Sequence, residues 1–322
     1  AGTGNDSGLV SVQSGLGGDC DVMSKILLLG ASGYIGGTFK AAMEKRNFQT
    51  LAPSRAQINY CNFKVLRQYI RELGGIAFLI NAAGFTGKPN VEQCEVRREE
   101  TLQGNLLLPQ MLSHLASVEN FRWLQIGTGC IYNGANGGNG FSEDDEPNFS
   151  FKYNNCSFYS GVKAMAEAYL KEDSRCYVAR LRIPFDENDG PRNYITKLLT
   201  YPKTYDNINS ITHIGDFVKT CLDLYERDCP TGIYNITNEG GISTREVVQM
   251  IQEILNPERE FEYFADDNEF YRVAKAPRSN CILDTKKLIS LGLSVRPVRD
   301  ALREALKKWI PENNLNSRRF VY

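Results

Sequence analysis

Tyr159 and Lys163 have the spacing in this 322-residue sequence that most directly suggests proton transfer. They stand four positions apart in YSGVK, at the start of a predicted helix, and therefore share one helix face. A tyrosine that protonates a carbonyl as hydride arrives needs its pKa moved from about 10 toward neutrality. A nearby ammonium in a pocket of low dielectric can supply the roughly 4 kcal/mol that three pH units represent. The pair predicts a general acid beside a lysine, although a YxxxK spacing is also common by chance.

A glycine-rich stretch, GASGYIGG, follows the first predicted strand and opens the first predicted helix. Glycines at positions 30, 33 and 36 permit a tight turn and let a pyrophosphate approach the backbone, while free N–H groups of the helix face the anion. The alternative is a turn that only packs a helix closely on a strand. The context favours a dinucleotide site, and we expect its loop residues to be Gly30, Ser32, Gly33, Tyr34, Ile35 and Gly36.

The second predicted strand lacks the acidic residue that usually holds the ribose hydroxyls of NAD. No Asp or Glu occurs between Glu44 and Glu72, and the strand is followed by PSRAQ. Ser54 and Arg55 could bind a ribose 2′-phosphate, the arginine through its planar fork. The predicted cofactor is therefore NADP(H), with NADH as the alternative, unless Arg55 is only a solvated loop residue.

Short apolar runs alternate with amphipathic segments from Lys25 onward, as in a parallel sheet covered by helices on both faces. This predicts an α/β, doubly wound Rossmann fold with a smaller C-terminal substrate-binding region. The predicted division is a leader or tag at 1–22, a dinucleotide-binding domain at 23–184 to which 205–237 return, and a substrate-binding region at 185–204 and 238–322. Regular patterning is lost through FDENDGPRNYITK, after Pro184.

The overall composition favours a small-molecule partner. Net charge is −1 with interspersed signs, which argues against nucleic acid or a membrane surface, and the apolar runs are too short to span a bilayer. Nine cysteines without a CxxC pair and two distant histidines make a metal site or a disulfide framework unexpected and indicate a reducing cytoplasm. The Gly- and Ser-rich residues 1–22 resemble neither a signal peptide nor a folded element.

The sequence resembles the extended short-chain dehydrogenase/reductase family from Ile26 nearly to the C-terminus. The resemblance rests on the order of the glycine loop, NAAG, Asn105, Thr128 and YSGVK. The resemblance implies that Thr128 hydrogen-bonds the substrate carbonyl, that Tyr159 is the acid, and that Lys163 grips the nicotinamide ribose. It also implies a relay or structural contact for Asn105 and a border of the nicotinamide at RIP, residues 182–184. The cofactor residues it adds are Asn81, Ala82, Ala83, Asn105, Tyr159, Lys163 and Pro184.

Cys130 lies two positions beyond Thr128 in TGCIY. Side chains alternate along an extended segment, so the two are expected to point the same way. Sugar dehydratases of the family carry Asp-Glu after the equivalent threonine, and Gly129 and Cys130 stand here instead. A thiolate beside a 4-keto sugar could remove the acidic proton at carbon 3 or 5, and Lys197 in PRNYITK could return it from the other face. A buried packing cysteine and a solvated lysine are the alternatives.

TGCIY resembles GDP-fucose synthases, which pair a cysteine with a histidine, and UDP-4-keto-6-deoxyglucose 3,5-epimerase/4-reductases of the rhamnose pathway. The segments NAAGFTGKPNVEQCE, EPNFSF, PRNYITK and APRSN are closer to the second group, in which Cys130 and Lys197 match the epimerising pair. That resemblance implies a nucleotide-sugar substrate, a homodimer, and substrate contacts from Thr86, Gly87, Asn90, Arg192, Asn193, Arg278 and Asn280. The alternatives are a dTDP-4-dehydrorhamnose reductase, a GDP-fucose-synthase-like enzyme, and a non-catalytic NADP-binding regulatory subunit.

Overall fold

A parallel β-sheet forms the centre of the protein in this computed structural model, which describes residues 25–87 and 90–312. The strands are β1 (Lys25–Leu29), β2 (Gln49–Leu51), β3 (Phe78–Asn81), β4 (Arg122–Thr128), β5 (Cys176–Leu181), β6 (Pro184–Phe185), β7 (Lys203–Thr204), β8 (Ile208–Asn209), β9 (Thr212–His213), β10 (Gly232–Asn235), β11 (Ile242–Ser243) and β12 (Glu262–Tyr263). The helices are α1 (Tyr34–Lys45), α2 (Phe63–Glu72), α3 (Gln93–Val96), α4 (Arg98–Leu102), α5 (Leu108–Glu119), α6 (Phe158–Leu170), α7 (Tyr194–Thr200), α8 (Ile214–Glu226), α9 (Thr244–Ile254), α10 (Asp267–Val273), α11 (Lys286–Ser290) and α12 (Val298–Lys307). The predicted leader, residues 1–22, lies outside the described residues.

The central sheet has the strand order β2-β1-β3-β4-β5-β10, and each neighbouring pair is parallel. Every residue of β3 and β5 is buried, as are four of the five residues of β1. Strands covered on both faces need nearly continuous apolar sequence, which explains the runs KILLL and FLIN. The predicted doubly wound α/β fold is confirmed.

Helices cover both faces of this sheet. On one face α1 meets α8, where the Phe39 and Phe217 rings pack edge to face with centroids 6.2 Å apart. On the other face, Leu66 of α2 and Leu112 of α5 pack in one apolar cluster with Trp123 of β4. None of the helices in the described ranges is long and apolar enough to cross a membrane.

A third apolar cluster is built from residues that follow β5. It joins α7, α9 and α12 around Phe185, and Ser243 and Glu246 form a capping box at the start of α9. Helix α7 lies in the stretch whose patterning was irregular in sequence, and its N-terminus is capped by Asn193. The division at Pro184 stays a prediction, since α8 and β10 pack with the central sheet while α9 and α12 pack in the third cluster.

The carboxyl ends of β1, β3, β4 and β5 meet at one edge of the sheet. Because β2 and β3 lie on opposite sides of β1, the strand order reverses there, and open α/β sheets bind ligands in the crevice beside such a reversal. The glycine loop leaves β1 at this edge, and Thr128 ends β4 there. The fold therefore brings the two predicted chemical motifs to one side of the sheet.

The glycine loop yields a stability prediction with a matched control one residue away. A Cβ on Gly36 would lie 2.1 Å from the Gly30 carbonyl oxygen, whereas a Cβ on Gly37 would lie 3.7 Å from its nearest neighbour, the Ala31 carbonyl oxygen. We expect Gly36→Ala to lower the free energy of unfolding by about 1–3 kcal/mol through overpacking. Gly37→Ala should leave it unchanged or raise it by up to about 1 kcal/mol. Urea unfolding measures both, and equal effects would contradict this account of the turn.

Candidate active site

The glycine loop has the shape needed to receive a pyrophosphate. Gly30 has φ +81°, and a Cβ there would lie 2.6 Å from the Ala83 amide nitrogen. Gly33 is the N-cap of α1 and provides no side-chain acceptor for the first N–H groups of that helix. The loop is therefore pressed against the chain after β3 and leaves the positive end of α1 uncapped, which suits a bound anion.

The end of β3 and the residues after it support the glycine loop. They include Asn81, Ala82 and Ala83, which were predicted to line the same site. Asn81 is fully buried, its amide donates to Gln125 Oε1 at 2.8 Å, and its Oδ1 accepts from the Ala83 N–H at 3.2 Å. Its contacts are internal, so it holds the turn in shape. Tyr34, at the start of α1, has a pKa raised by burial and by the neighbouring Asp186.

Ser54 and Arg55 lie just beyond β2, whose carboxyl end is next to that of β1. Both are exposed, and the Ser54 N–H is held by Gln57 Oε1 at 2.8 Å. Within residues 25–87 and 90–312, Arg55 forms no ion pair. Its guanidinium is thus available to a ligand.

Helix α6 carries Tyr159 and Lys163 into the protein. Ser157 caps the helix, and the Lys163 ammonium donates to the Ile126 carbonyl oxygen of β4 at 2.7 Å. Burial lowers the pKa of Lys163 to about 8, against an opposing effect of Glu167 and Cys130. A lysine whose pKa lies close to neutral pH is thereby fixed beside β4, the strand that ends in Thr128.

Tyr159 is brought to Thr128 and Cys130. Burial raises the pKa of Tyr159 above its ordinary value, Cys130 and Cys94 add to the rise, and a hydrogen bond with the Thr128 side chain opposes it. The sequence-based expectation of a lowered pKa therefore differs from this structure, because the effect of burial on Tyr159 outweighs that of the hydrogen bond with Thr128. In this state Tyr159 is a neutral hydroxyl, the form that can donate a proton.

A tight turn, and not the predicted extended segment, brings Thr128 and Cys130 close together. Gly129–Ile131 form a 3₁₀ turn, so the extended alternation assumed from the sequence is wrong. The Thr128 hydroxyl caps that turn by accepting from the Cys130 N–H at 3.1 Å. Cys130 nevertheless influences both Tyr159 and Lys163 electrostatically, so the thiol belongs to the cluster and is only partly buried.

Asn105 lies in a π-helical segment, Gln103–Leu107, inserted between α4 and α5. Its Oδ1 accepts from the Phe85 N–H at 3.0 Å and its amide donates to the Phe85 carbonyl at 2.6 Å. Among the two roles that the resemblance left open, these contacts match the structural one: Asn105 fixes the loop after β3.

A basic cluster lies on α7 and the two loops beside it. Burial lowers the pKa of the half-buried Lys197, and the charges of Arg192 and Arg278 lower it further. Arg192 donates to the Gly87 carbonyl at 2.6 Å, and Arg278 pairs with Glu92. Arg278 thus has a carboxylate partner, while Lys197 and Arg192 form no ion pair within residues 25–87 and 90–312.

The remaining predicted substrate residues have mixed surroundings. Asn193 is fully buried and caps α7, and its amide donates to Asp186 and to the Asn188 carbonyl. Its predicted substrate contact is therefore not supported, since these internal bonds occupy the amide. Thr86 is exposed, Asn90 and Asn280 are half-buried, and Gly87 is buried and contacts Arg192. Pro184 is partly exposed in β6.

Sequence reasoning missed the side-chain partner of Cys130. The Arg182 guanidinium donates to Cys130 Sγ at 3.2 Å and to Asn209 Oδ1 at 2.9 Å, and it also contacts the Ser279 carbonyl. Asn209 and Ser279 lie 27 and 97 positions beyond Arg182. No local pattern predicts such a contact.

Comparisons with known proteins agree with this geometry. A family model described as the RmlD substrate binding domain matches residues 23–310. A bifunctional dTDP-4-dehydrorhamnose 3,5-epimerase/dTDP-4-dehydrorhamnose reductase from Arabidopsis thaliana is 31% identical over 297 residues, covering 89% of this chain and 93% of that protein. A trifunctional UDP-glucose 4,6-dehydratase/UDP-4-keto-6-deoxy-D-glucose 3,5-epimerase/UDP-4-keto-L-rhamnose-reductase from the same plant is 32% identical over 82% of this chain, which spans only 39% of that longer protein.

Solved structures are also similar. The UDP-rhamnose synthase from Acanthamoeba polyphaga mimivirus matches with a TM-score of 0.81 at 28% identity, covering 88% of this chain and 99% of the viral one. The dTDP-4-dehydrorhamnose reductase from Bacillus anthracis, crystallised in complex with NADP, has a TM-score of 0.73 at 17% identity, covering 89% and 97%. The second likeness is one of fold.

Burial of Lys163 predicts a specific pH dependence of stability. Its pKa is about 8 when folded and near 10.5 when unfolded, so the unfolded chain binds more protons between these values and stability rises with pH across that window. Replacing the lysine by methionine removes this penalty, which amounts to up to about 3 kcal/mol below pH 8. We expect the unfolding free energy of Lys163→Met, minus that of the wild type, to fall steadily from pH 8 to 10.5. A difference independent of pH in urea titrations would contradict the assignment.

Proposed function

Because the chain belongs to the RmlD substrate-binding-domain family, we propose that it is a bifunctional 3,5-epimerase and NADPH-dependent 4-reductase that converts UDP-4-keto-6-deoxy-D-glucose to UDP-L-rhamnose. One observation carries the proposal: Thr128, Tyr159 and Lys163 lie in one cluster with the partly buried thiol of Cys130. A reductase requires the first three residues, and the thiol adds a group able to move a proton at carbon.

The reductive half of the reaction uses the hydroxyls. The substrate carbonyl oxygen would lie between Thr128 and Tyr159, and bound NADPH supplies hydride to carbon 4. Tyr159 gives its proton to the oxygen as negative charge develops there, and its raised pKa keeps that proton available until then. Lys163, held by the Ile126 carbonyl, keeps positive charge beside the developing oxyanion.

The epimerising half uses the same carbonyl. A ketone acidifies the adjacent carbons, so Cys130 as thiolate can take the proton from carbon 3 or 5, and the electron pair moves to the oxygen held by Thr128 and Tyr159. A proton returned to the opposite face inverts the centre. We assign that step to Lys197, whose lowered pKa lets it release a proton more readily than a free lysine.

The basic cluster suits the diphosphate of a nucleotide sugar. Arg192 and Arg278 provide planar forks for phosphate oxygens, with Thr86, Gly87, Asn90 and Asn280 nearby. UDP is the nucleotide named for the viral and trifunctional relatives, and dTDP is named for the bifunctional plant relative. A reductase of an already epimerised dTDP sugar, a GDP-fucose-synthase-like enzyme and a regulatory NADP-binding subunit remain the alternatives; the last would need neither Cys130 nor Tyr159.

We further propose a homodimer through α5 and α6, which pack against each other. Both helices carry exposed apolar side chains, Val118 on α5 and Met165 and Tyr169 on α6, with Leu107 just before α5. Exposed apolar side chains grouped on two neighbouring helices are more usual at an interface than in water.

Deuterium incorporation tests the epimerase assignment. With UDP-4-keto-6-deoxyglucose and NADPH in heavy water, the wild type should place solvent deuterium at carbons 3 and 5 during turnover, as measured by NMR of the product. Cys130→Ala should lose about 100-fold or more of the exchange while still binding NADPH, because general base catalysis contributes about that much. Tyr159→Phe should lose reduction and keep part of the exchange, because Thr128 still holds the carbonyl oxygen on which the enolate charge develops.

Cys61→Ala is the control for these variants, since Cys61 is an exposed thiol on the turn before α2. It should match the wild type in both steps. Turnover by the wild type without deuterium at either carbon would rule out the epimerase and leave a plain reductase. The opposite pattern for Cys130→Ala and Tyr159→Phe would mean that the roles are reversed.

Cofactor preference provides a second test. We expect Arg55→Leu to raise the Kd for NADPH about tenfold or more, because a charge-assisted hydrogen bond to the 2′-phosphate contributes about 1.5–3 kcal/mol. The Kd for NADH, which lacks that phosphate, should stay the same. Arg303→Leu, an exposed arginine on α12, is the control. Equal increases in the Kd for NADPH and for NADH would show that Arg55 does not bind the 2′-phosphate.

A further inference from the structure

Arg182 is a buried cation whose protein partners carry no formal negative charge in their usual states. It is 2% exposed, and its guanidinium donates to the Asn209 amide oxygen, the Ser279 carbonyl and the Cys130 thiol. Within the described ranges no carboxylate lies within ion-pair distance of it. Arg180, two residues earlier and equally buried, instead has Glu167 at 2.6 Å.

A buried charge is costly unless an opposite charge accompanies it. Among the three partners of Arg182, an amide oxygen and a backbone carbonyl cannot ionise. Cys130 can, and its sulfur lies 3.2 Å from Nη1. A thiolate at this position would complete the ion pair that Glu167 completes for Arg180.

The surroundings fix the direction of the guanidinium. Asn209 Oδ1 accepts from Nε at 2.9 Å and from Nη2 at 2.5 Å, and it also accepts from the Cys281 N–H at 2.9 Å. A Cβ on Gly129 would lie 2.8 Å from Leu283 Cδ1 and 3.3 Å from Arg182 Cδ. The glycine between Thr128 and Cys130 thus leaves room for the arginine stem, and Nη1 is left to face the thiol.

We propose that Arg182 is a positioning residue that holds the Cys130 sulfur in place and pairs with it when the thiol ionises to take the substrate proton. The proposal rests on the function proposed above, in which Cys130 is the base. When the thiolate takes a proton from carbon 3 or 5, an S–H bond forms, the C–H bond breaks, and the electron pair passes to the carbonyl oxygen. No other reactant is required, and return of the proton to solvent restores the pair with Arg182.

Other titratable groups around Cys130 do not replace this contact. Tyr159 and Lys163 approach it from α6, and Cys281 from the segment before α11. Lys163 has a pKa near 8 and is directed at Ile126, so its charge fades as pH rises above neutrality. Arginine keeps its charge throughout this range.

The test is the pH dependence of alkylation of Cys130 by iodoacetamide, followed by peptide mass spectrometry, since the thiolate is the reactive form. In Arg182→Gln, the midpoint for Cys130 should move up by about one pH unit or more, the lower limit for losing an opposite charge within about 4–6 Å. Arg182→Lys, which keeps a charge, should lie closer to the wild type. Alkylation of exposed Cys61 in the same samples is the internal reference and should not move.

A second variant tests the same contact without removing the buried guanidinium of Arg182. Asn209→Asp places a carboxylate against the guanidinium and should also move the Cys130 midpoint upward, by pairing Arg182 elsewhere. In both variants the ratio of deuterium exchange to carbonyl reduction should fall about tenfold. Circular dichroism establishes that each variant is folded.

The outcomes separate this inference from the function. If the midpoint pH for alkylation of Cys130 is unchanged in the folded variants, the role of Arg182 is overturned, even when the wild type exchanges substrate protons for deuterium normally. Wild-type turnover without exchange would instead overturn the epimerase, while a midpoint shift would still support the Arg182–Cys130 pair. A shift equal in Arg182→Lys and Arg182→Gln would indicate packing as the cause and would also overturn the proposal.

Discussion

The hydrogen bond from the Lys163 ammonium to the Ile126 carbonyl fixes α6 against β4. Tyr159, Lys163 and Glu167 are spaced by four and form one stripe on that helix, so fixing the middle residue aligns the other two. Tyr159 then meets Thr128 where β4 ends, and Glu167 meets Arg180 on β5. Catalytic geometry and helix docking therefore depend on the same buried contact.

The buried positive charges of this site lower the stability of the fold. Burial lowers the pKa of Lys163 to about 8, and Arg182 is buried among partners of which only a thiol can become negative. Lys197 has two arginines as neighbours. In the described part of the chain no carboxylate lies within ion-pair distance of these three groups, whereas Arg180 has Glu167. A bound substrate would supply the missing negative charge at these points, which couples binding to relief of unfavourable electrostatics.

The sequence was sufficient for the sheet, its covering helices and the order of the motifs, because apolar periodicity and glycine positions are local signals. ILLL, FLIN and CYVARL are buried as expected, and Tyr159 and Lys163 share one helix face. Local patterns failed where tertiary contacts decide. The turn at Gly129 replaced the expected extended segment, Asn193 became a helix cap, and Arg182 reached Cys130 through partners far along the chain. The Tyr159 pKa also depends on how deeply the fold buries its hydroxyl, which spacing alone does not determine.

The central claim is that one carbonyl-binding cluster stabilises an enolate as well as an alkoxide. The most direct measurement is the NMR spectrum of UDP-4-keto-6-deoxyglucose incubated with the wild-type protein in heavy water and oxidised NADP⁺, so that no hydride can be delivered. The account predicts deuterium at carbons 3 and 5 with the ketone at carbon 4 intact. A substrate that binds and keeps both protons would contradict it.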